Sequence, residues 1–243
     1  EMFLNFWWNA TKLTSSAAHA QSLGRSPYEL FAGVDVQANG FNTSVNWNAV
    51  FPEGEPHRTS LGFYCPNWCY SSAPNHAKFY ENANTFWVGP NRDPGNTTTP
   101  NAWKGMAHYM PAYSVINDLP FMTNFNTGQG HLYAVDGDMV GDYDWNNRSL
   151  QDILPTWRWI AESSGDALYP ELDWSDAYYG GTCLKVSGDL SPGAPTLLKL
   201  FKTDLPVSDE TELVLVYKTG TAGMPTHLSA AVAFAGDPTL FEF

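Results

Sequence analysis

The sequence predicts an α/β portion followed by an all-β portion, with the change near residue 116. Before that point, near-continuous apolar runs of strand length alternate with helix-like segments, the pattern of a parallel sheet covered by helices. After about Asn117 helical periodicity disappears, and short runs of alternating polarity are separated by Gly, Pro and Asp turns, the pattern of a β-sandwich. The third observation is the opening run EMFLNFWWN. A strand that delivers two adjacent indoles and two amides at its end belongs to the wall of an enzyme or sugar-binding barrel.

In order, Met2 to Trp8 is expected as the first strand. Thr14 or Ser15 caps a helix through Ala17, Ala18, Ala20 and Leu23, with Gly24 in the left-handed position beyond its end. The run LFAGVDV, Leu30 to Val36, reads as a second buried parallel strand, followed by the polar loop Gln37 to Gly40. Leu61 to Cys65 makes a third. Ser71 and Ser72 then cap a helix that places Phe79, Ala83 and Phe86 or Trp87 on one face, and Gly89-Pro90 stops it. Asn91 to Asn101 is loop. In the second portion the expected strands are His131 to Val135, Thr182 to Val186, Leu197 to Lys202, Glu212 to Tyr217 and Leu228 to Phe234, with the terminal FEF opening another. Three βα units do not close a (β/α)8 barrel, which needs eight strands. The remaining strands are therefore expected to precede Glu1.

The chain has 243 residues, 43% hydrophobic and 15% aromatic, enough for one large domain or two small ones. Its net charge of -13, with 12 Lys and Arg scattered along it, excludes a basic nucleic-acid footprint. No apolar stretch has the length of a membrane span, so neither nucleic acid nor membrane is expected as a partner. The three cysteines, Cys65, Cys69 and Cys183, do not make a disulfide framework, and Cys65-x-x-x-Cys69 has no matching second pair for a metal.

In barrels of this class the groups that meet substrate sit at the C-terminal ends of strands and in the loops that follow. Those positions hold Asn5, Trp7 and Trp8, then Asp35, Gln37 and Asn39, then Tyr64 and Trp68. Flat aromatic faces suit the CH face of a pyranose, and amides and a carboxylate suit its hydroxyls. Adjacent strand residues point to opposite faces, so one of Trp7 and Trp8 is structural. Asp35 is the one acid at a strand end. Glu53 and Glu55, in a Pro-flanked loop, read as solvated surface charge. Asp173 and Asp176, beside Trp174, Tyr178 and Tyr179, read as an ordinary sandwich loop.

Other chemistries fail on spacing. Gly24-Arg25-Ser26-Pro27-Tyr28 lacks the second glycine of a nucleophile elbow, and Gly128-Gln129-Gly130 lacks the third of a dinucleotide loop. There is no phosphate-binding P-loop and no His-x-x-x-His pair, so no cofactor is expected. The run Asp136, Asp138, Asp142, Asp144 has glycine at the sixth position but Val140 at the fifth and Asn147 at the twelfth, and fails as an EF-hand. Sequons at Asn9, Asn42, Asn96 and Asn147 matter only in a secreted eukaryotic protein.

The residues resemble glycoside hydrolase family 85, the endo-β-N-acetylglucosaminidases that act on N-glycans. FLNFWWN, SLGRSPYELFAGVDVQANGFNTSVNW, SLGFYCPNW, PFMTNFNTGQG and WNNRSLQDILPTWRW are similar to successive landmarks of that family. YYGGTCLKVSGDL, LLKLFKTDLP and LVYK are similar to strands of its accessory, galactose-binding-like β-sandwich. The resemblance implies that residues 1–116 are the C-terminal part of a (β/α)8 barrel and residues 117–243 the accessory sandwich. It implies retaining cleavage of GlcNAcβ1-4GlcNAc, in which the substrate's 2-acetamido group forms an oxazoline. A Glu serves as acid and base, and an Asn two residues before it orients the acetamide. No Glu in this chain has Asn two positions before it, and the family's Trp-Tyr-Asp strand is also lacking. Catalytic residues are accordingly expected outside this chain, in an N-terminal half of the barrel, and the chain alone is expected to be inactive.

What carries over is substrate binding: Asn5, Trp8 with Trp7 as the alternative, Asp35 and Tyr64. The implied partner is an N-glycan or glycopeptide. The implied setting is secreted or cell-surface in a bacterium and cytoplasmic in a eukaryote. The competing reading is a non-catalytic carbohydrate-binding protein whose β-sandwich carries the ligand contacts.

Overall fold

The computed structural model describes residues 1–98, 103–110, 113–155, 159–220 and 227–242. The last three positions of the expected loop Asn91 to Asn101, part of the WNNRSLQDILPTWRW stretch and the final Phe243 lie outside the described residues. The chain separates into two compact units, Glu1–Asp204 and Leu205–Phe243. The change in pattern near residue 116 falls inside the first.

The first unit is built on a parallel sheet of three strands in the order β1 (Met2–Leu4), β2 (Leu30–Asp35), β3 (Ser60–Tyr64). Leu4, Ala32 and Leu61 are register partners, so they share a face, as do Val34 and Phe63 further along. Leu4, Ala32 and Leu61 pack with Leu13, Ala49 and Val50, while Val34 and Phe63 pack with Trp47, Phe86, Trp103 and Met106. Period-two alternation thus gives this face to helices and the other to Phe3, Phe31, Gly33, Gly62, Asp35 and Tyr64.

β1 is shorter than the expected strand. Its pairing stops at Leu4, where the Asn5 side chain accepts a hydrogen bond from the Phe6 amide (2.8 Å) and turns the chain out of the ladder. Helix α1 (Ala10–Ser22) starts a turn earlier than expected, because Asn9 is its cap: the backbone there is extended and Oδ1 accepts from the Lys12 amide (2.9 Å). Gly24 takes the left-handed conformation after the helix (φ 70°), as the sequence required.

After β2 come two single-turn helices, α2 (Val36–Asn39) and α3 (Trp47–Val50). After β3, Ser71 and Ser72 close a short helix α4 (Trp68–Ser71) instead of starting the next one. Ser72 Oγ donates back to the Trp68 carbonyl (2.6 Å), and Asn75 caps α5 (His76–Val88). On α5, Ala83 and Phe86 are buried with Phe79 and Trp87 beside them. Trp103 lies fully buried under the sheet, with its indole N–H donating to the Phe86 carbonyl (3.0 Å). Trp47 stacks on Tyr109 at 4.5 Å between ring centres.

The rest of the first unit consists of two-stranded antiparallel ladders. β4 (Gln129–Gly130) pairs with β7 (Trp145–Asn146), and β5 (Tyr133–Val135) with β6 (Asp138–Gly141). β8 (Ile160–Glu162) pairs with β11 (Leu197–Lys199), and β9 (Tyr169–Asp173) with β10 (Cys183–Ser187). These strands do not join into larger sheets among the described residues. Polar ties hold this portion to the helical one. The buried Asn84 Oδ1 accepts from the Trp159 amide (2.9 Å), and the Arg92 guanidinium lies 3.5 Å over the Tyr169 ring.

In the second unit β12 (Val232–Phe234) and β13 (Asp237–Glu242) form a hairpin across Ala235-Gly236. Phe241 and Glu242 of the expected FEF therefore belong to β13 instead of opening a further strand. Glu212 to Tyr217 is not a strand, because no neighbouring chain completes its hydrogen bonds among the described residues, and Leu213 to Tyr217 stay exposed.

Candidate active site

The C-terminal rim of the parallel sheet gathers the chemistry. Asp35 and Tyr64 end β2 and β3 as register partners, so carboxylate and phenol stand side by side on the face away from the helices. The strands end there for local reasons. Asp35 Oδ1 accepts from the Ala38 amide (3.2 Å) and caps α2. After Tyr64, Cys65 adopts a left-handed conformation (φ 51°) that turns the chain away from β3.

Tyr64 is 46% exposed, and its phenol is held above its ordinary pKa. Electrostatic repulsion from the neighbouring Cys65 sulfur is the main cause. A hydrogen bond with that thiol, partial loss of water and the Asp35 carboxylate act in the same direction. All four disfavour the phenolate, so at neutral pH the hydroxyl is a proton-bearing donor.

Trp7 and Trp8 lie beyond the end of β1, where strand alternation does not apply, and the structure separates them by their contacts. Trp8 is half-buried, packs against both core clusters, and donates its indole N–H to the Gly33 carbonyl (2.8 Å). Trp7 is 81% exposed, and its carbonyl accepts from Lys12 Nζ (2.8 Å). The preference for Trp8 as the stacking indole thus meets a ring already committed to the fold, while Trp7 has an open face. Asn5, Trp7 and Trp8 border an open hollow of about 280 Å³ with Leu4, Lys12, Leu13 and Ser16. That volume suits a single ring rather than a branched ligand.

The structure therefore brings three of the sequence candidates to one hollow on the α1 side of β1 and sets Asp35 and Tyr64 at the ends of β2 and β3, on the other face of the sheet. Gln37 and Asn39 are exposed beyond them. Trp68 leaves the rim: it packs into the core over Gly40 and meets Phe41 edge-on at 5.0 Å. Sequence reasoning overlooked Phe6, whose ring lies 5.6 Å from that of Tyr64, and Lys12 at the hollow. A signal for the first was present. In both GVD and GFY a glycine stands two residues before the rim residue, on the same face.

Among the described residues no group of three metal-ligating side chains comes together, and no helix is long and apolar enough to cross a membrane. Asp173 Oδ1 takes the Ser175 amide and hydroxyl (2.8 and 2.6 Å), and Asp176 Oδ1 the Ala177 amide (3.0 Å), both as local turn contacts.

Comparison with known proteins gives this rim its context. Residues 1–133 match the profile of glycosyl hydrolase family 85. The chain is 24% identical over 210 residues to cytosolic endo-beta-N-acetylglucosaminidase 1 of Arabidopsis thaliana, covering 85% of this chain and 28% of that protein. It is 27% identical over 203 residues to the cytosolic endo-beta-N-acetylglucosaminidase of Gallus gallus, covering 79% and 23%. Among solved structures, it is similar to the glycoside hydrolase domain of Endo-D from Streptococcus pneumoniae R6, with a TM-score of 0.76 and 36% identity, covering 85% of this chain and 33% of that one. The chain thus spans a third or less of the length of these relatives.

Proposed function

The chain belongs to glycosyl hydrolase family 85, a family of glycoside hydrolases, and from that premise we propose that it supplies the substrate-binding wall of an endo-β-N-acetylglucosaminidase. The substrate on this reading is the GlcNAcβ1-4GlcNAc core of an N-linked glycan. The observation that carries it is the rim itself: exposed Asn5, Trp7 and Tyr64 and half-buried Asp35 stand at or just beyond the ends of parallel strands, where barrels of this class bind ligand. Trp7 offers its face to a pyranose ring. Asn5, whose amide oxygen is engaged by the Phe6 amide, presents its –NH2 as a donor, and Trp8 backs the wall. Tyr64 donates from a hydroxyl that stays protonated, and the Asp35 carboxylate accepts.

Residues 1–116 are read as the C-terminal part of a (β/α)8 barrel and residues 117–243 as the accessory β-sandwich portion. Cleavage is read as substrate-assisted: the acetamide of the sugar attacks its own anomeric carbon, and the leaving oxygen takes a proton from a Glu. The Asn-x-Glu pair that would do this is not encoded in these 243 residues, so they serve binding rather than proton transfer.

The test is incubation with a high-mannose glycopeptide, following release of oligosaccharide by mass spectrometry and binding by calorimetry. Binding without release is expected. Release by the 243-residue chain would overturn the assignment of acid and base elsewhere, and no binding would overturn the wall. Trp7→Ala should abolish most of the binding heat. If Trp174→Ala does so instead, the ligand sits in the β-rich portion and the non-catalytic reading gains.

A further inference from the structure

Tyr64 is a rim side chain nearly half in solvent, and such a side chain swings between rotamers unless something confines it. Besides the hydrogen bond with Cys65, the structure shows a packing restraint on the ring. On the face of the sheet away from the helices, Gly33 and Gly62 are register partners on β2 and β3. A Cβ built on either would stand 2.7 Å from ring carbons of Phe3, so the Phe3 ring lies flat across a floor that only two glycines leave open. Phe6 meets Phe3 edge-on, 6.1 Å between centres with an 84° interplanar angle. Phe6 in turn meets Tyr64 at 5.6 Å and 59°. Both geometries lie within the range in which aromatic pairs attract.

We infer that Phe3 and Phe6 form an aromatic ladder on the Gly33–Gly62 floor whose role is to hold the Tyr64 phenol in place for the sugar, Phe6 being the positioning residue that touches it. The inference rests on the proposed substrate wall and adds residues to it that do not themselves touch ligand. Its physical content is pre-organisation. Holding one side chain in its bound rotamer before the ligand arrives removes an ordering cost that corresponds to roughly a 2- to 12-fold change in Kd. The ladder also gives a reason for glycine at position 62, where a side chain would meet Phe3 first and, through Phe6, release Tyr64; at position 33 a side chain would meet the Leu4 carbonyl oxygen (2.5 Å) as well as Phe3.

The experiment uses the 243-residue chain with 13C-labelled tyrosine rings, the Tyr64 signal being identified by its disappearance in Tyr64→Phe, and N,N′-diacetylchitobiose as probe. In Phe6→Ala the Tyr64 ring signals should move toward those of a solvent-exposed tyrosine, and the probe should bind roughly 2- to 12-fold more weakly. Phe6→Tyr, which keeps the ring, should restore both. Gly62→Ala should shift the Tyr64 signals without touching Phe6 or Tyr64. If Phe6→Ala does not fold, Phe6→Leu fills the space without an aromatic ring and is read the same way. Unchanged Tyr64 signals and unchanged affinity in the Phe6 variant would overturn the ladder and leave the wall standing. No binding by the unaltered chain would overturn the wall, and the ladder would then be judged by the Tyr64 signals alone.

Discussion

The parallel-sheet region and the segment from Leu205 to Glu242 both carry apolar runs, but only one of them makes a core. On the helix-covered face Trp103 and Met106 are fully buried, and Leu13 and Val50 on the same face are equally inaccessible. In the second unit Leu213, Val214, Leu215, Val216 and Tyr217 are 52–77% exposed. Composition does not separate the two, since LVLVY is as apolar as LFAGV. What differs is whether a second layer exists. A sheet or helix buries its apolar face only against another element, and α1, α3 and α5 supply that for the sheet. The described part of the second unit has one hairpin, β12 with β13, and an isolated hairpin is marginal in water.

If burial carries the stability, the largest loss should come from the indole in its centre. Trp103→Ala removes a fully buried ring and leaves the Phe86 carbonyl without its donor, so unfolding free energy should fall by about 3–5 kcal/mol in a urea titration. A loss under about 1 kcal/mol would break the comparison, because such a site would have to be loosely packed. Next in size is the tie between the helical and β-rich portions. Asn84→Ala strips the buried Trp159 amide of its acceptor and should cost about 1–3 kcal/mol by the same titration.

A smaller, pH-dependent effect tests the same core. Burial pushes the Cys69 thiol from 9.0 up to about 11 and the Tyr109 phenol from 10.0 up to about 12. In the unfolded chain each group loses its proton first, so the folded state holds more protons between the two values. These two groups therefore leave stability unchanged below about pH 9; it falls from there as Cys69 ionises preferentially in the unfolded chain, and further above about pH 10 through Tyr109. The slope contributed by Cys69 is at most about 1.4 kcal/mol per pH unit. Cys69→Ala should flatten the melting-temperature profile between pH 9 and 10, and an unchanged profile would mean that the thiol is solvated.

The same contrast explains what was legible in the sequence. β2 and β3 were found to within one residue because a strand buried by helices on one side and closed by a polar loop leaves an apolar run of the right length. Their rim residues, Asp35 and Tyr64, followed from knowing where strands end. Helix starts were misplaced because several residues in each segment are competent caps, and the choice of Asn9 over Thr14 and of Asn75 over Ser72 is made by where the preceding strand or turn releases the chain. Which indole faces out could not be read from Trp7-Trp8 alone, since the strand ends at Leu4 and its alternation does not reach them. The Gly33 carbonyl that engages Trp8 is distant in sequence. The strand expected at Glu212 to Tyr217 was drawn from its own pattern, and a strand exists only with a partner.

The smallest effect is the one that most sharpens the comparison. Leu215 is 52% exposed in a segment without strand pairing, so Leu215→Ser exchanges one solvated side chain for another. Its effect on the unfolding free energy should stay within about 0.5 kcal/mol, the ordinary range for surface positions away from caps, cores and networks. The chemically similar Leu13→Ser, in a fully buried position on α1, should by contrast leave a hydroxyl in an apolar site and cost several-fold more. If the two substitutions cost the same, Leu215 is covered in solution, and LVLVY has found the second layer that the parallel sheet obtains from its own helices.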